Sequence, residues 1–305
     1  IEANYNDNNQ VQVVSVDENG WAERHNIAPG TIIHSVDGQL ISDDRIFQKY
    51  RILEQAKLIS IDRGNGIEFF QVDSKLSTKD LMYQIIFPNI SLLFCLGLSL
   101  ILYLKKKSSS SIKLILFLLS ISMGYVSAGA SSRGVFIGRE LTTLTFLISP
   151  LLFIHFFQAY FKSIKKYILS KKVFLTCYFL VALNIIMEVI PLPTNHIDII
   201  KSVNLYTFSL FIFFLLYTAI CTYIFNKDES VKVALNLLLF SMCVSLLPFI
   251  LFYVFPYLLF GESLYSPDIL ISSIIIIPLT LIYMLLSEKL FDFPFFLNRL
   301  QYNVV

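Results

Sequence analysis

Few polar side chains interrupt the apolar stretches of this 305-residue chain, and any chemistry has to be carried by them. Arg133, Arg139 and Glu140 cluster between two apolar runs. Asn184 and Glu188 sit four residues apart in another run, with Asn195, His196 and Asp198 just beyond it. Guanidinium and carboxylate groups at the edge of an apolar slab form ion pairs and charge-assisted hydrogen bonds, which suit recognition of a polar ligand. Trp21, the only tryptophan, is a further candidate for ligand stacking or for packing. Catalytic patterns fail by inspection. His155 is followed by Phe156 and Phe157, so the His-Glu-x-x-His zinc motif is absent, and His155 is expected in an interhelical hydrogen bond. There is no Gly-x-Ser-x-Gly, no pair of aspartates within the apolar runs and no glycine-rich phosphate loop. Cys95, Cys177, Cys221 and Cys243 all fall inside apolar runs without metal-ligand spacing and read as small packing residues. The sequence predicts binding, with no catalytic residue, metal or cofactor in this stretch.

The elements that position these residues are membrane spans. The chain is 55% hydrophobic and holds 28 Phe and 16 Tyr. Seven apolar runs, at 84–104, 112–130, 141–161, 173–190, 203–225, 233–255 and 269–287, approach the ~20 residues that cross a hydrocarbon core. They lack period-2 alternation, so helices rather than a barrel are expected. Alternating the loops puts thirteen basic residues on one side, among them Lys105–Lys107, Lys162, Lys165 and Lys166. Arg133, Arg139 and Lys201 stand on the other. The positive-inside rule then places residues 1–83 outside the plasma membrane and the C-terminus in the cytoplasm. The basic excess reports topology and contact with membrane lipid, not nucleic acid. The first residue is Ile1, and an external N-terminal domain needs something upstream to translocate it. A further span is expected there, eight in the native protein.

Residues 1–9 read as a linker or frayed strand, and 10–75 as a small α+β domain. Strands are expected at 11–16, 31–36, 58–62 and 67–72, with a short helix from Trp21. A hairpin turn is expected at Asp37-Gly38, and a second helix capped from Ser42, Asp43 or Asp44 with Ile46, Tyr50 and Leu53 on one face. The run Ala22…Asn26-Ile27-Ala28-Pro29-Gly30-Thr31-Ile32-Ile33…Val36-Asp37-Gly38 resembles the corresponding run of bacterial PDZ domains, although Thr31 stands where that family usually carries an acid. The resemblance implies a peptide groove that works by strand addition. Residues 76–83 form a connector into the membrane domain, 84–287. Within its second run Ser120, Gly124, Ala128 and Ser132 make a stripe of small residues at i+4 spacing, able to seat a neighbouring helix or a second protomer. Pro150, Pro248, Pro256 and Pro278 are expected to kink their helices.

Residues 288–305 read as a cytoplasmic exit helix. Leu290-Phe-Asp-Phe, Leu297-Asn-Arg-Leu and Tyr302 resemble the junction between membrane sensors and histidine-kinase helices. With the PDZ-like run and the spans, the chain as a whole resembles the membrane sensor half of the ComP-type competence quorum-sensing histidine kinases. That resemblance implies a secreted isoprenylated peptide pheromone as ligand, a homodimer, and a response regulator phosphorylated by a cytoplasmic kinase. From their places at the outer rim and along the exit, Arg133, Arg139, Glu140, Asn184, Glu188, Asp198 and Trp21 are expected in ligand contact, and Pro278, Phe291, Asp292, Asn298 and Arg299 in signal transmission. Two other readings fit the same sequence, a small-solute transporter and a PDZ-bearing membrane scaffold. An inverted repeat with paired intramembrane charges would favour the transporter. A partner captured by residues 1–80 alone would favour the scaffold.

Overall fold

A computed structural model describes residues 1–16, 20–44, 47, 53, 56–63, 66–72, 78, 81–105, 108–135, 137–160, 171–190, 197–225, 229–261, 263–265, 270 and 272–286. The first part is an antiparallel sheet of β1 (Glu2–Tyr5), β2 (Val11–Ser15), β3 (Ile32–Val36), β4 (Gln39–Leu40), β5 (Leu58–Asp62) and β6 (Ile67–Gln71), with a short helix α1 (Trp21–Arg24) between β2 and β3. Its order is β1-β2-β3-β5-β6, with β4 on β3. The segment expected as linker or frayed strand supplies β1, which pairs with β2 (Ala3 opposite Val13) and buries Ala3.

Turn chemistry sets the register. Asp37 (φ 50°) and Gly38 (φ 81°) take the two left-handed positions that a tight Asp-Gly hairpin requires, so Val36 pairs with Gln39. The Asp37 carboxylate also accepts from the N–H groups of Lys57 and Leu58, both at 2.8 Å, and so ties the hairpin to the start of β5. Asp44 accepts from the N–H of Phe47 at 2.6 Å, the capping role foreseen for 42–44. Phe47 and Leu53 join Val11, Val13, Ile33, Ile59 and Ile61 in a core on one face of the sheet. Ile46 and Tyr50, also expected on that helix face, lie outside the described residues.

The second part is a helical bundle with its own core. Among the described residues six helices are long and apolar enough to cross a membrane: Leu81–Leu104, Ser109–Ser132, Gly138–Tyr160, Lys172–Val189, Ile199–Phe225 and Lys232–Phe260. The main helices are α2 (Phe87–Lys105), α3 (Ser109–Ser132), α4 (Gly138–Tyr160), α5 (Lys171–Val189), α6 (Ile197–Phe225) and α7 (Glu229–Phe249). A π-helical stretch, Leu81–Ile86, precedes α2. Another, Ile250–Val254, follows Pro248 and leads into α8 (Phe255–Phe260). The seventh apolar run is described as a 3₁₀ turn, Ser273–Ile275, and α9 (Ile276–Leu286). Pro278 lies in the first turn of α9, where a proline costs little, so the break expected there precedes the helix.

Lipid tails are as apolar as leucine, so helices in a membrane associate through close packing and hydrogen bonds. The small residues of α3 do this against α4. The Ser120 hydroxyl lies 2.8 Å from that of Ser149 and donates to the Thr145 carbonyl at 3.1 Å. A methyl added at Gly124 would meet Thr145 Oγ1 at 3.2 Å. The stripe therefore seats a neighbour within the bundle. The tightest approach is off the stripe, at Gly129, where an added methyl would overlap the Gln84 carbonyl. His155, expected in an interhelical hydrogen bond, instead stacks on Phe174 of α5 at 3.9 Å between ring centroids. The last segment is anchored twice: the Ser273 hydroxyl donates to the Ser245 carbonyl of α7 at 2.8 Å, and Tyr125 of α3 donates to the Ser272 carbonyl at 3.3 Å.

Gly129→Ala is expected to force α3 from the first span and to lower the melting temperature of the detergent-solubilised chain clearly. Gly97→Ala, where an added methyl meets nothing within 4 Å, should leave it unchanged or raise it through better helix propensity.

Candidate functional site

The polar residues singled out in α4 and α5 come together at one end of the bundle, where α3 gives way to α4. α4 begins at Gly138, so Arg139 stands in its first turn. α5 ends at Val189, so Glu188 stands in its last. The two form an ion pair through Arg139 Nε and Glu188 Oε1. Glu188 keeps 3% of its side chain exposed and Arg139 keeps 21%. A carboxylate withdrawn this far from water needs its partners, because losing one leaves an uncompensated charge. A second partner comes from α6: Asn204 Nδ2 donates to Glu188 Oε2 at 2.9 Å. Both carboxylate oxygens are thus engaged by different helices, and Glu188 joins α4, α5 and α6.

One turn deeper the link is repeated in neutral form. Asn184 of α5 donates to the carbonyl of Leu180 at 2.8 Å and lies 3.3 Å from the hydroxyl of Thr207 on α6. Asn184 is 2% exposed and Thr207 is 9% exposed, which keeps water from competing for these bonds. Asn204 Oδ1 is buried and has no donor among the described residues. Beside the cluster, the Lys201 ammonium sits 3.9 Å from the ring centroid of Tyr257, a cation–π contact between α6 and α8. An aromatic column runs inward from there: Tyr257 on Tyr253, Tyr253 on Phe249, Phe249 on Phe208 and Phe208 on Phe146.

The structure thus brings together Arg139, Asn184 and Glu188 of the residues expected from sequence. Arg133 and Glu140 are half-buried close by in the chain, and Arg133 Nε donates to the Gly129 carbonyl at 3.0 Å. The side chain of Asp198 lies outside the described residues, as do Phe291, Asp292, Asn298 and Arg299. Trp21 belongs to the sheet domain. It stacks on His25 at 4.6 Å and meets Phe70 edge-on at 6.3 Å, so its ring is a packing element. Asn204, Thr207 and Lys201 were missed. The run at 203–225 carries no charge, whereas α6 begins at Ile197 and brings Lys201 into the helix. The readable signal was Asn204 and Thr207 three residues apart, on the same face of a helix otherwise rich in Phe and Leu. Among the described residues no group of His, Cys, Asp and Glu is arranged to hold a metal ion.

Arg139→Met should leave Glu188 stranded and destabilise the bundle by about 3 kcal/mol, the low end of the range for a broken buried pair, because Arg139 retains some exposure. Adding Glu188→Met should recover most of that loss. A double-mutant cycle on denaturant unfolding in detergent measures both effects.

Neither a family model nor a solved structure matches the chain. The chain is similar to the sensor histidine kinase ComP of Bacillus subtilis (strain 168), at 27% identity over 305 aligned residues that take in 97% of this chain. It spans 39% of that protein's length. Similarity along nearly the whole chain, together with the six apolar helices, makes this a multi-pass membrane protein similar to part of a sensor histidine kinase.

Proposed function

We propose that this chain is the sensing region of a quorum-sensing two-component receptor that binds a secreted isoprenylated peptide. The observation that carries the reading is the similarity to a sensor histidine kinase over 97% of the chain. In this reading residues 1–83 lie outside the cell, and the bundle has seven spans here and eight in the native receptor. The sheet domain is PDZ-like, and the C-terminus leads to a cytoplasmic kinase that phosphorylates a response regulator within a homodimer. The sensing region itself carries no catalytic residue.

The polar cluster suits such a ligand. Arg139, Glu188 and Asn204 lie at the bundle end that faces outward in this topology, and Asn204 Oδ1 is a buried acceptor that a peptide N–H would satisfy once it enters. A prenyl chain has no polar demands and gains about 0.8 kcal/mol per CH2 taken out of water, so the apolar surface between helices accommodates it. The peptide's polar groups compete for the partners of Glu188, and that competition loosens the tie among α4, α5 and α6. Such a ligand shifts the receptor only as far as it binds one bundle arrangement better than the other. Arg133, Glu140 and Asp198 complete the rim, and Pro278, Phe291, Asp292, Asn298 and Arg299 lie on the route to the kinase.

A prenylated tryptophan peptide should bind saturably to the chain in nanodiscs, while the same peptide without its prenyl group binds far more weakly. Arg139→Ala and Asn204→Ala should each weaken that binding. Equal partitioning of the prenylated peptide into empty nanodiscs would contradict the assignment, and substrate accumulation in proteoliposomes would point to a transporter instead.

A further inference from the structure

The apolar core of the sheet lies on one face, and the other face is largely exposed apart from Ser60, which is buried beside Ser35. Ile59, Ile61, Val11, Val13 and Ile33 point into the core, and the strand alternation turns their neighbours the other way. The register collects those neighbours on one surface: Leu58 opposite Gln71, Ser60 opposite Phe69, Asp62 opposite Ile67, and Leu40 opposite Ser35. Phe69 is 67% exposed, Val14 53%, Leu40 51% and Ile67 47%. Polar-out alternation is the ordinary rule for a solvated sheet face, and β6 breaks it with Ile67 and Phe69 at an edge. Exposed apolar groups gathered in this way mark a surface that something covers.

We propose that this face rests on the lipid surface of the bilayer, with Ile67 and Phe69 seated at headgroup level. Chain connectivity carries the choice of occupant. Only residues 73–80 separate Val72 from Leu81, where the first span begins, and fully extended they reach about 30 Å. The domain is therefore held permanently beside lipid, at a high effective concentration that no diffusing partner has. The apolar surface continues past the connector with Leu81, Met82 and Phe87, all exposed. Charge placement agrees. Leu58 lies at the end of the β5–β6 pair from which the chain leaves for the membrane, and Asp62 lies at the opposite end, where it can stay in the polar layer. An aromatic ring at an edge position fits the interface, where Phe and Leu anchor peripheral elements.

The test uses the whole chain in nanodiscs with an environment-sensitive fluorophore on a single introduced thiol: Phe69→Cys, Ile67→Cys, or Glu68→Cys as the control on the opposite face of the same strand. All three positions are exposed, and the native cysteines are buried or half-buried. Labels at 67 and 69 should be quenched several-fold more by spin-labelled lipid, and less by aqueous acrylamide, than the label at 68. Equal access of acrylamide to 68 and 69 would show an uncovered face and overturn the proposal. Shielding at 69 without lipid quenching would show a protein cover, from a second copy or from the bundle, and overturn it as well.

Discussion

Glu188 imposes the constraint around which one end of the bundle is built. A carboxylate almost removed from water is tolerable only when both oxygens are occupied, and it takes those partners from two other helices, Arg139 on α4 and Asn204 on α6. The helices on which these groups stand are thereby fixed in rotation and in height, and the neutral Asn184–Thr207 contact one turn inward repeats the same alignment. An ion pair here contributes less to net stability than to choosing one arrangement of three helices over its neighbours. It is also the kind of tie that a polar ligand can contest.

The two halves of the chain solve packing by different means. In the sheet domain, water drives Phe47, Ile59 and Ile61 into one core, and the Asp37 carboxylate fixes the hairpin against β5. In the bundle, close approach substitutes for the hydrophobic effect. Ser120 and Gly124 let α4 close on α3, Gly129 lets the first span close on it from another side, and stacked rings such as Phe117 on Phe153, at 4.2 Å, fill what remains. The break after Pro248 and the 3₁₀ turn at Ser273–Ile275 are joined across α7 by the Ser273–Ser245 bond. The segment leading toward the C-terminus thus starts from irregular backbone rather than from a rigid rod.

Much of this was legible in the residues. The apolar runs placed the first four spans to within a few residues; the fifth starts earlier because Ile197–Ser202 continues the helix through polar sequence, and the sixth runs on to Phe260. The strands of the sheet followed from alternation and from Asp37-Gly38, and β1 was half-read because a frayed strand and a linker look alike without their partner. At the polar cluster, Arg139, Asn184 and Glu188 stood out because charge and amide groups are rare in apolar runs. Asn204 and Thr207 did not, because hydropathy summed over a Phe-rich stretch hides two uncharged polar side chains. His155 was misread because a ring with donors suggests hydrogen bonding, whereas its neighbour across the helix interface is Phe174. Gly129 carried no pattern at all, since the need for glycine there comes from a carbonyl on another helix.

The central claim is that the tie at Glu188 is where ligand acts on the bundle. The most direct measurement is the distance between spin labels at Ile137→Cys, beside the start of α4, and Ile186→Cys, on the exposed side of α5, by pulsed electron resonance in nanodiscs. The account predicts a narrow distance distribution that shifts or broadens on saturation with a prenylated tryptophan peptide, and a similar change without peptide in Glu188→Gln. A distribution that stays the same while the peptide is bound would contradict it.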